Sequence, residues 1–288
     1  MIFKFNPTMS ATRRHVLTVS AAVAVAFGLL GAGTSHAQSI ASIKKDGVLK
    51  VGAQVAQIPW GFTDAGGVLT GYDIEVVNLL AKELGVKVAV TPVTPANRTA
   101  ALLTGQVDML AAVMGIFPDR QKVVLFSRPY ANIDNIFIGK TGANIKGWAD
   151  LQGLRVGVPR GNPMDRALTK VNLPGIIIQR FDDDSTTVQA LMGGQVEVMG
   201  GAMTQILNIA KVVGPGKFET KFVHSRAYNG FAVRPGEREW VDYLNGFLGR
   251  KIASGELPEL YKKWIGTTLT ELPTTGEGDA PLPLILAK

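Results

Sequence analysis

The chain repeats itself, and the repetition limits what it can fold into. "LKVG" at 49–52 recurs as "LRVG" at 154–157, and "ALLTGQVDML" at 101–110 recurs as "ALMGGQVEVM" at 190–199. Chance can supply one matched tetrapeptide. Two matched pairs in the same order point to two similar α/β lobes, each running strand, helix, strand, then a helix into "GQV" and a further strand.

The local pattern agrees with that order. "YDIEVVNLLAKELG" sets Ile74, Val77, Leu80, Ala81 and Leu84 on one helical stripe, and Gly85 closes it. "VKVAVTPV" alternates as a half-buried strand does. "NRTAALLTG" is a short helix ending at Gly105, and the continuous apolar run "VDMLAAVMG" predicts a buried parallel strand. "PGIIIQRF" is a strand, and the acidic start of "DDDSTTVQALMGG" suits a helix N-terminus, with Asp182–Asp184 as its cap. "NGFAVRPGE" leads back as a strand. "REWVDYLNGFLGRKIASGELPELYKKWIG" reads as two helices broken near Gly255, followed by an irregular tail from 270 whose "LPLILAK" end packs on the surface. Asp108 and Glu197 recur at matching strand starts and read as structural, and Met109, Met192 and Met199 read as core.

Composition removes several kinds of chemistry. The 288 residues are 46% hydrophobic and 18% charged, enough for two cores. No cysteine is present, so disulfides, thiolate nucleophiles and zinc-thiolate sites are excluded. His15, His36 and His224 have no metal-ligand spacing, and neither a phosphate-binding loop nor a G-x-S-x-G elbow occurs. No metal or cofactor is expected.

The N-terminus has the form of a targeting segment. Arg13 and Arg14 precede the uncharged apolar run "VLTVSAAVAVAFGLLGAGTS", which ends in "SHAQS", a small-x-small site with cleavage expected after Ala37. A membrane anchor is the other reading, because the run is nearly long enough to span a bilayer. "TRRHVL" lacks the apolar residue usual directly after a twin arginine, which favours the general secretory route. Removing 1–37 takes away Lys4, Arg13 and Arg14 and leaves 27 basic against 23 acidic residues, a charge of +4. With no Lys/Arg run, that bias favours a small anionic partner and gives no support to nucleic acid.

Taken in order, "LKVG…PWGF…GGVLTGYDIEVVNLLAKELGVKV", "NRTAALLTGQVDM", "PDRQKVVLFSRPY", "ADLQGLRVGVPRG", "VQALMGGQVEV", "NGFAVRPGE" and "YKKWIG" resemble the bacterial periplasmic solute-binding proteins of family 3, the polar amino-acid transporter type, over roughly residues 48–266. The resemblance implies two three-layer α/β lobes joined by two crossover strands, near "IDNIFIG" and "AYNGFAV". Lobe 1 would take 38–138 and 230–288, and lobe 2 would take 139–229. It implies a monomer that closes by hinge motion on a ligand in the cleft and docks on an ABC permease.

The resemblance also assigns residues. Arg120 in "GIFPDRQ" falls where the family grips the ligand carboxylate, and a guanidinium fork meets a carboxylate with two parallel hydrogen bonds. Trp60 in "IPWGF" falls at an aromatic wall, with Phe62 a weaker second. Arg98 in "ANRTAALL" falls at the cleft edge. Arg160, Gly161 and Asn162 in "VPRGN" form a lobe-2 turn with donors at a helix start. Gly115 and Phe117 stand where the family has hydroxyls, and Ala202 stands where it has an acid for the ligand ammonium. The carboxylate grip is thus kept while the ammonium anchor is missing. The ammonium would then be met by Asp184 or a backbone carbonyl, or the ligand would be an organic acid; convergence of Arg98, Arg120 and Arg160 would suit a second acidic group.

Two other functions stay open at this level. Some relatives of this fold are periplasmic dehydratases or lyases, which need a placed acid in the cleft; the sequence offers no convincing one, and the chain is not expected to be an enzyme. A sensory module would need a signalling domain, and none follows. Sequencing the N-terminus of protein from a periplasmic extract should give Gln38; a full-length chain found only in membranes would make the apolar run an anchor.

Overall fold

The computed structural model describes residues 40–274 and the backbone of 285–286; the expected targeting segment, 275–284 and 287–288 lie outside the described residues. The first part of the chain runs α1 (Ile40–Asp46), β1 (Val48–Ala53), a meander of β2 (Ala56–Gln57), β3 (Gly61–Thr63) and β4 (Leu69–Thr70), α2 (Tyr72–Leu84), β5 (Lys87–Pro92), α3 (Arg98–Leu103), β6 (Met109–Leu110), α4 (Pro118–Gln121) and β7 (Leu125–Phe126). The next part runs β8 (Ala131–Lys140), β9 (Arg155–Pro159), α5 (Pro163–Val171), β10 (Ile177–Phe181), α6 (Asp184–Met192), β11 (Val198–Ala202), α7 (Thr204–Val213) and β12 (Phe218–Asn229). The chain then returns through β13 (Ala232–Val233) to α8 (Arg238–Ala253), α9 (Glu256–Ile265) and β14 (Ile285–Leu286).

Two large sheets result, in the orders β5-β1-β6-β13-β7 and β10-β9-β11-β8-β12-β14. Each has a parallel core, β5-β1-β6 in one and β10-β9-β11 in the other. The sequence repeat acts here through one shared contact. Asp108 accepts the amide of Lys50 at 2.8 Å and returns its own amide to the Lys50 carbonyl. Glu197 does the same with Arg155, also at 2.8 Å. An acid after "GQV" therefore ties the start of the last parallel strand to the first one in each lobe, which is the structural role expected of both.

The helical stripe of α2 is buried throughout, and Gly85 closes the helix at φ 73. It packs in a core with Trp60, Trp240, Phe247 and Leu248. In the second lobe, successive residues of β8 serve opposite layers: Phe137 joins Val156, Met164 and Leu168, while Ile136 and Ile138 join Leu191, Met199 and Ile209. Alternation along one strand thus makes the three-layer lobe.

Three details differ from the sequence reading. The ladder within "VDMLAAVMG" stops at Leu110, because Val113 turns to φ 49 and gives its amide to Asp73 at 2.9 Å instead of to a strand. The crossover strand β8 pairs with β12 over its whole length and with β11 over 135–139, so residues 131–138 join the second sheet, while Ala131 and Ile133 still pack in the first core. The tail strand β14 pairs with β12 at Ser225 and Arg226, so this part of the tail also joins the second sheet, covering its open edge.

Gly71, which opens α2, shows how tightly the first lobe is drawn together. Its φ is 124, and a Cβ there would stand 2.4 Å from the Trp60 carbonyl oxygen. Gly71→Ala should lower stability by about 2–4 kcal/mol, from backbone strain plus steric overlap. Urea unfolding followed by circular dichroism measures this.

Candidate functional site

The lobes are shut. Trp60 Nε1 donates to Thr204 Oγ1 at 3.2 Å, Ser185 Oγ to the Ala56 carbonyl at 2.8 Å, and Asn208 Nδ2 to the Ile58 carbonyl at 2.6 Å. Each contact runs from the β2–β3 hairpin of the first lobe to the start or the body of α6 and α7 in the second. On the other side, Gly161 at φ 76 comes so near that a Cβ would lie 3.2 Å from Ala96 Cα. Arg166 reaches Asp119 at 3.8 Å.

Between the lobes lies a cavity of about 30 Å³, room for about two waters. Gln54, Gln57, Arg98, Val113, Gly115 and Phe117 wall it from the first lobe. Asn162, Asp184, Gly201 and Ala202 wall it from the second. The crossover strands form its floor with Ile133 and Asn135 from β8 and Ala227 and Asn229 from β12, alternate residues that share one face of each strand.

The cationic wall depends on a bent backbone. Past β6 the chain turns its carbonyls inward, and Arg98 Nη1 donates to the Ala112 oxygen at 2.5 Å and the Val113 oxygen at 3.4 Å. Arg120 Nη1 donates to the Gly115 oxygen at 2.9 Å. Phe117 stands between two guanidinium groups, with Arg120 5.0 Å and Arg166 5.3 Å from its ring centre. Burial, helped by the charge of Arg166, pulls the Arg98 guanidinium down to about 10, against the pull of Asp184 and Asp73. Burial also takes Arg120 well below its ordinary value, with Arg98 and Arg166 adding to the effect and Asp119 opposing it.

Two buried acids face this wall from different places. Asp73 accepts from Val113 N and from Tyr130 OH at 2.9 Å each, and burial pushes its carboxyl up to about 7. Asp184, at the first turn of α6, lines the cavity. Burial raises it to about 7, opposed chiefly by the hydrogen bond from Gln205 Nε2. Gln205 Oε1 in turn accepts the Ala202 amide at 3.1 Å. The helix cap expected of 182–184 is provided by Asp183, which accepts from Thr186 N; this leaves Asp184 free to turn inward.

The structure brings Arg98, Gly115, Phe117, Asn162 and Ala202 to the cavity wall. The other expected site residues lie elsewhere. Arg160 is exposed, its backbone amide tied to Phe181, so Arg166 replaces it in the arginine group. Gly161 marks the close approach of the lobes. Trp60 is fully buried and edge-on to Tyr72 at 5.6 Å, and it contacts Thr204 across the cleft without lining the cavity of Arg98 and Asp184. Phe62 packs edge-on against Trp264. Arg120 stands behind Phe117, 7% exposed, and supports the Gly115 turn, so it carries more of the fold than a residue at an open turn would. Gln54, Gln57, Asn135, Asn229 and Arg166 were missed. Carboxamides have no periodicity or spacing to reveal them, although Arg166 does follow a helix-start signal in "GNPMDRAL".

Comparison with known proteins agrees with this geometry. Over 260 residues, 90% of this chain and 97% of the relative, the sequence is 28% identical to the L-cystine-binding protein TcyJ of Escherichia coli strain K12. The structure of a mutant of ArgBP from T. maritima superposes with a TM-score of 0.73 at 27% identity, covering 79% of this chain and 99% of that one. An ancestral amino acid-binding protein, AncCDT-1, a precursor of cyclohexadienyl dehydratase, superposes with a TM-score of 0.73 at 31% identity, covering 78% and 99%. The model of one family matches residues 49–267, and with its two lobes, crossover floor and shut cleft the chain belongs to the bacterial extracellular solute-binding proteins, family 3.

Proposed function

We propose that the chain is the periplasmic substrate-binding component of an ABC importer, and that it holds a small carboxylate-bearing solute, an amino acid or a related organic acid, between its lobes. One observation carries this reading: Arg98 lines the cavity and Arg120, against the far side of Phe117 and near enough to feel the charge of Arg98, is buried with it, each with backbone carbonyls as its hydrogen-bond partners. Buried cations are stable when an anion completes them. A ligand carboxylate does so in the planar geometry that a guanidinium offers. Asp184, which burial holds near 7, is the acid available in the cavity for an ammonium group, in place of the acid that Ala202 lacks.

A thermal-shift screen against amino acids and small mono- and dicarboxylates tests the reading, since a ligand of the folded form raises its melting temperature. An acid in the cavity also suits a dehydratase on this fold, and product formation by the purified protein separates the two readings. For the best binder of the screen, Arg120→Ala should lose about 2–5 kcal/mol of binding, or about 30- to several-thousand-fold. Arg120→Lys should recover only part of it, because an ammonium makes no planar two-bond contact. Wild-type affinity of the alanine variant in calorimetry would leave Arg98 as the sole clamp.

The pH dependence has a definite sign. The ligand-free Asp184 carboxyl is protonated below about 7 and ionised above it, and an ammonium attracts only the ionised form. Affinity for an amino acid should therefore rise about tenfold from pH 6 to pH 8 and then level off. Asp184→Asn should flatten that rise in the same calorimetric titration.

A further inference from the structure

The carboxamides around the cavity are not alike. Gln54 Nε2 donates to Gln57 Oε1 and to the Ala112 oxygen, each at 2.9 Å. Asn135 Nδ2 donates to Ser225 Oγ at 3.2 Å. Asn162 accepts from Asp165 N at 2.8 Å and donates to the Gly200 oxygen at 3.3 Å. These amides hold the walls together. Asn229, the last residue of β12, is wholly buried in the cavity floor, and neither its Oδ1 nor its Nδ2 has a hydrogen-bond partner. Buried polar groups are paired as a rule. A fully buried amide with both ends unmet, facing a cavity between two moving lobes, points to a partner that arrives with the ligand.

The other groups on the wall limit what that partner is. Its two charged side chains are Arg98 and Asp184. On the reading above Arg98, backed by Arg120 behind Phe117, takes the ligand's carboxylate, and Asp184 takes its ammonium. Around Asn229 the floor is otherwise Ile133, Ala227 and Asn135, with no charge. A carboxylate would meet Nδ2 and leave Oδ1 unmet, and an ammonium would do the reverse. A group that donates and accepts along one edge meets both.

We infer that Asn229 is a ligand-binding, specificity-determining residue, and that the solute's end group is a neutral donor–acceptor of the carboxamide type rather than a second charge. This rests on the binding-protein reading. It also narrows the possibility of a second acidic group, which depended on Arg160 joining the cleft; Arg160 is exposed.

Isothermal calorimetry tests the inference with shape-matched probes, L-glutamine against L-glutamate and L-asparagine against L-aspartate, with L-arginine and L-cystine alongside. Wild type should bind one carboxamide at least tenfold more tightly than its acid twin and than the last two. Asn229→Leu should weaken that binding at least tenfold. Its ligand-free melting temperature should not fall, because leucine replaces an amide that had no partner in the fold. Asn229→Asp, which keeps the size and removes the donor, should also lose the preference. If none of the six probes binds wild type while the thermal-shift screen finds another ligand, this inference alone is wrong; if the screen finds no ligand either, the binding-protein reading falls with it. If a charged amino acid binds best, or if Asn229→Leu binds as wild type does, this inference alone is wrong.

Discussion

The site depends on one buried hydrogen bond, from the Val113 amide to the Asp73 carboxylate. Without it the run after β6 could continue as a strand, as its apolar composition invites. With it, Val113 turns into left-handed backbone and the carbonyls of Ala112, Val113 and Gly115 become acceptors for Arg98 and Arg120. Burial drives Asp73 up to about 7, so its ionised form is costly, and the bonds from Val113 and from Tyr130 offset part of that cost. One acid at the start of α2 thus sets the loop, and the loop sets the cations.

Closure uses separate chemistry. The hairpin at 56–60 is held by Ser185, Thr204 and Asn208 through two backbone carbonyls and one indole N–H, with no ion pair among the three. Such neutral contacts contribute about 1 kcal/mol each and open without leaving a bare charge. The lobes can therefore part at modest cost on this side, while Arg98, Arg120, Asp73 and Asp184 keep hydrogen-bond supports within their own lobes; on the other side the Arg166–Asp119 pair at 3.8 Å is given up. On the proposed function opening is required for capture, since about 30 Å³ is too small for an amino acid.

The architecture was legible in the sequence where the signal was periodic or repeated. The α2 stripe, the Gly85 stop, the break at Gly255 and the paired "GQV" strands all arise from local patterning, and the structure keeps them. The β8 boundary was not legible, because a crossover strand between two sheets carries the same apolar alternation whichever sheet it joins. At the site, Arg98 and Ala202 could be placed through the resemblance. Trp60 could not, because an aromatic that packs inward and one that faces a cleft have the same sequence context; only the partner across the cleft, Thr204, distinguishes them. Asn229 carried no signal at all, since its role comes from having no partner in three dimensions.

Alanine at 202, where the resemblance implies an acid, does not leave the second lobe without one. Ala202 gives its amide to Gln205 Oε1, and the other end of that amide holds Asp184. Gln205 therefore links the position where the resemblance expects an acid to an acid on the neighbouring helix, and it fits against Gly201, where a Cβ would collide with its Oε1. A side chain at 201, or an acid at 202 repelling Asp184, would disturb this arrangement. The small residues of "GGAM" are thus the space that lets α6 supply the carboxylate. The carboxylate of this wall thus comes from the helix beside the strand on which the resemblance implies an acid, and both positions line the same cavity.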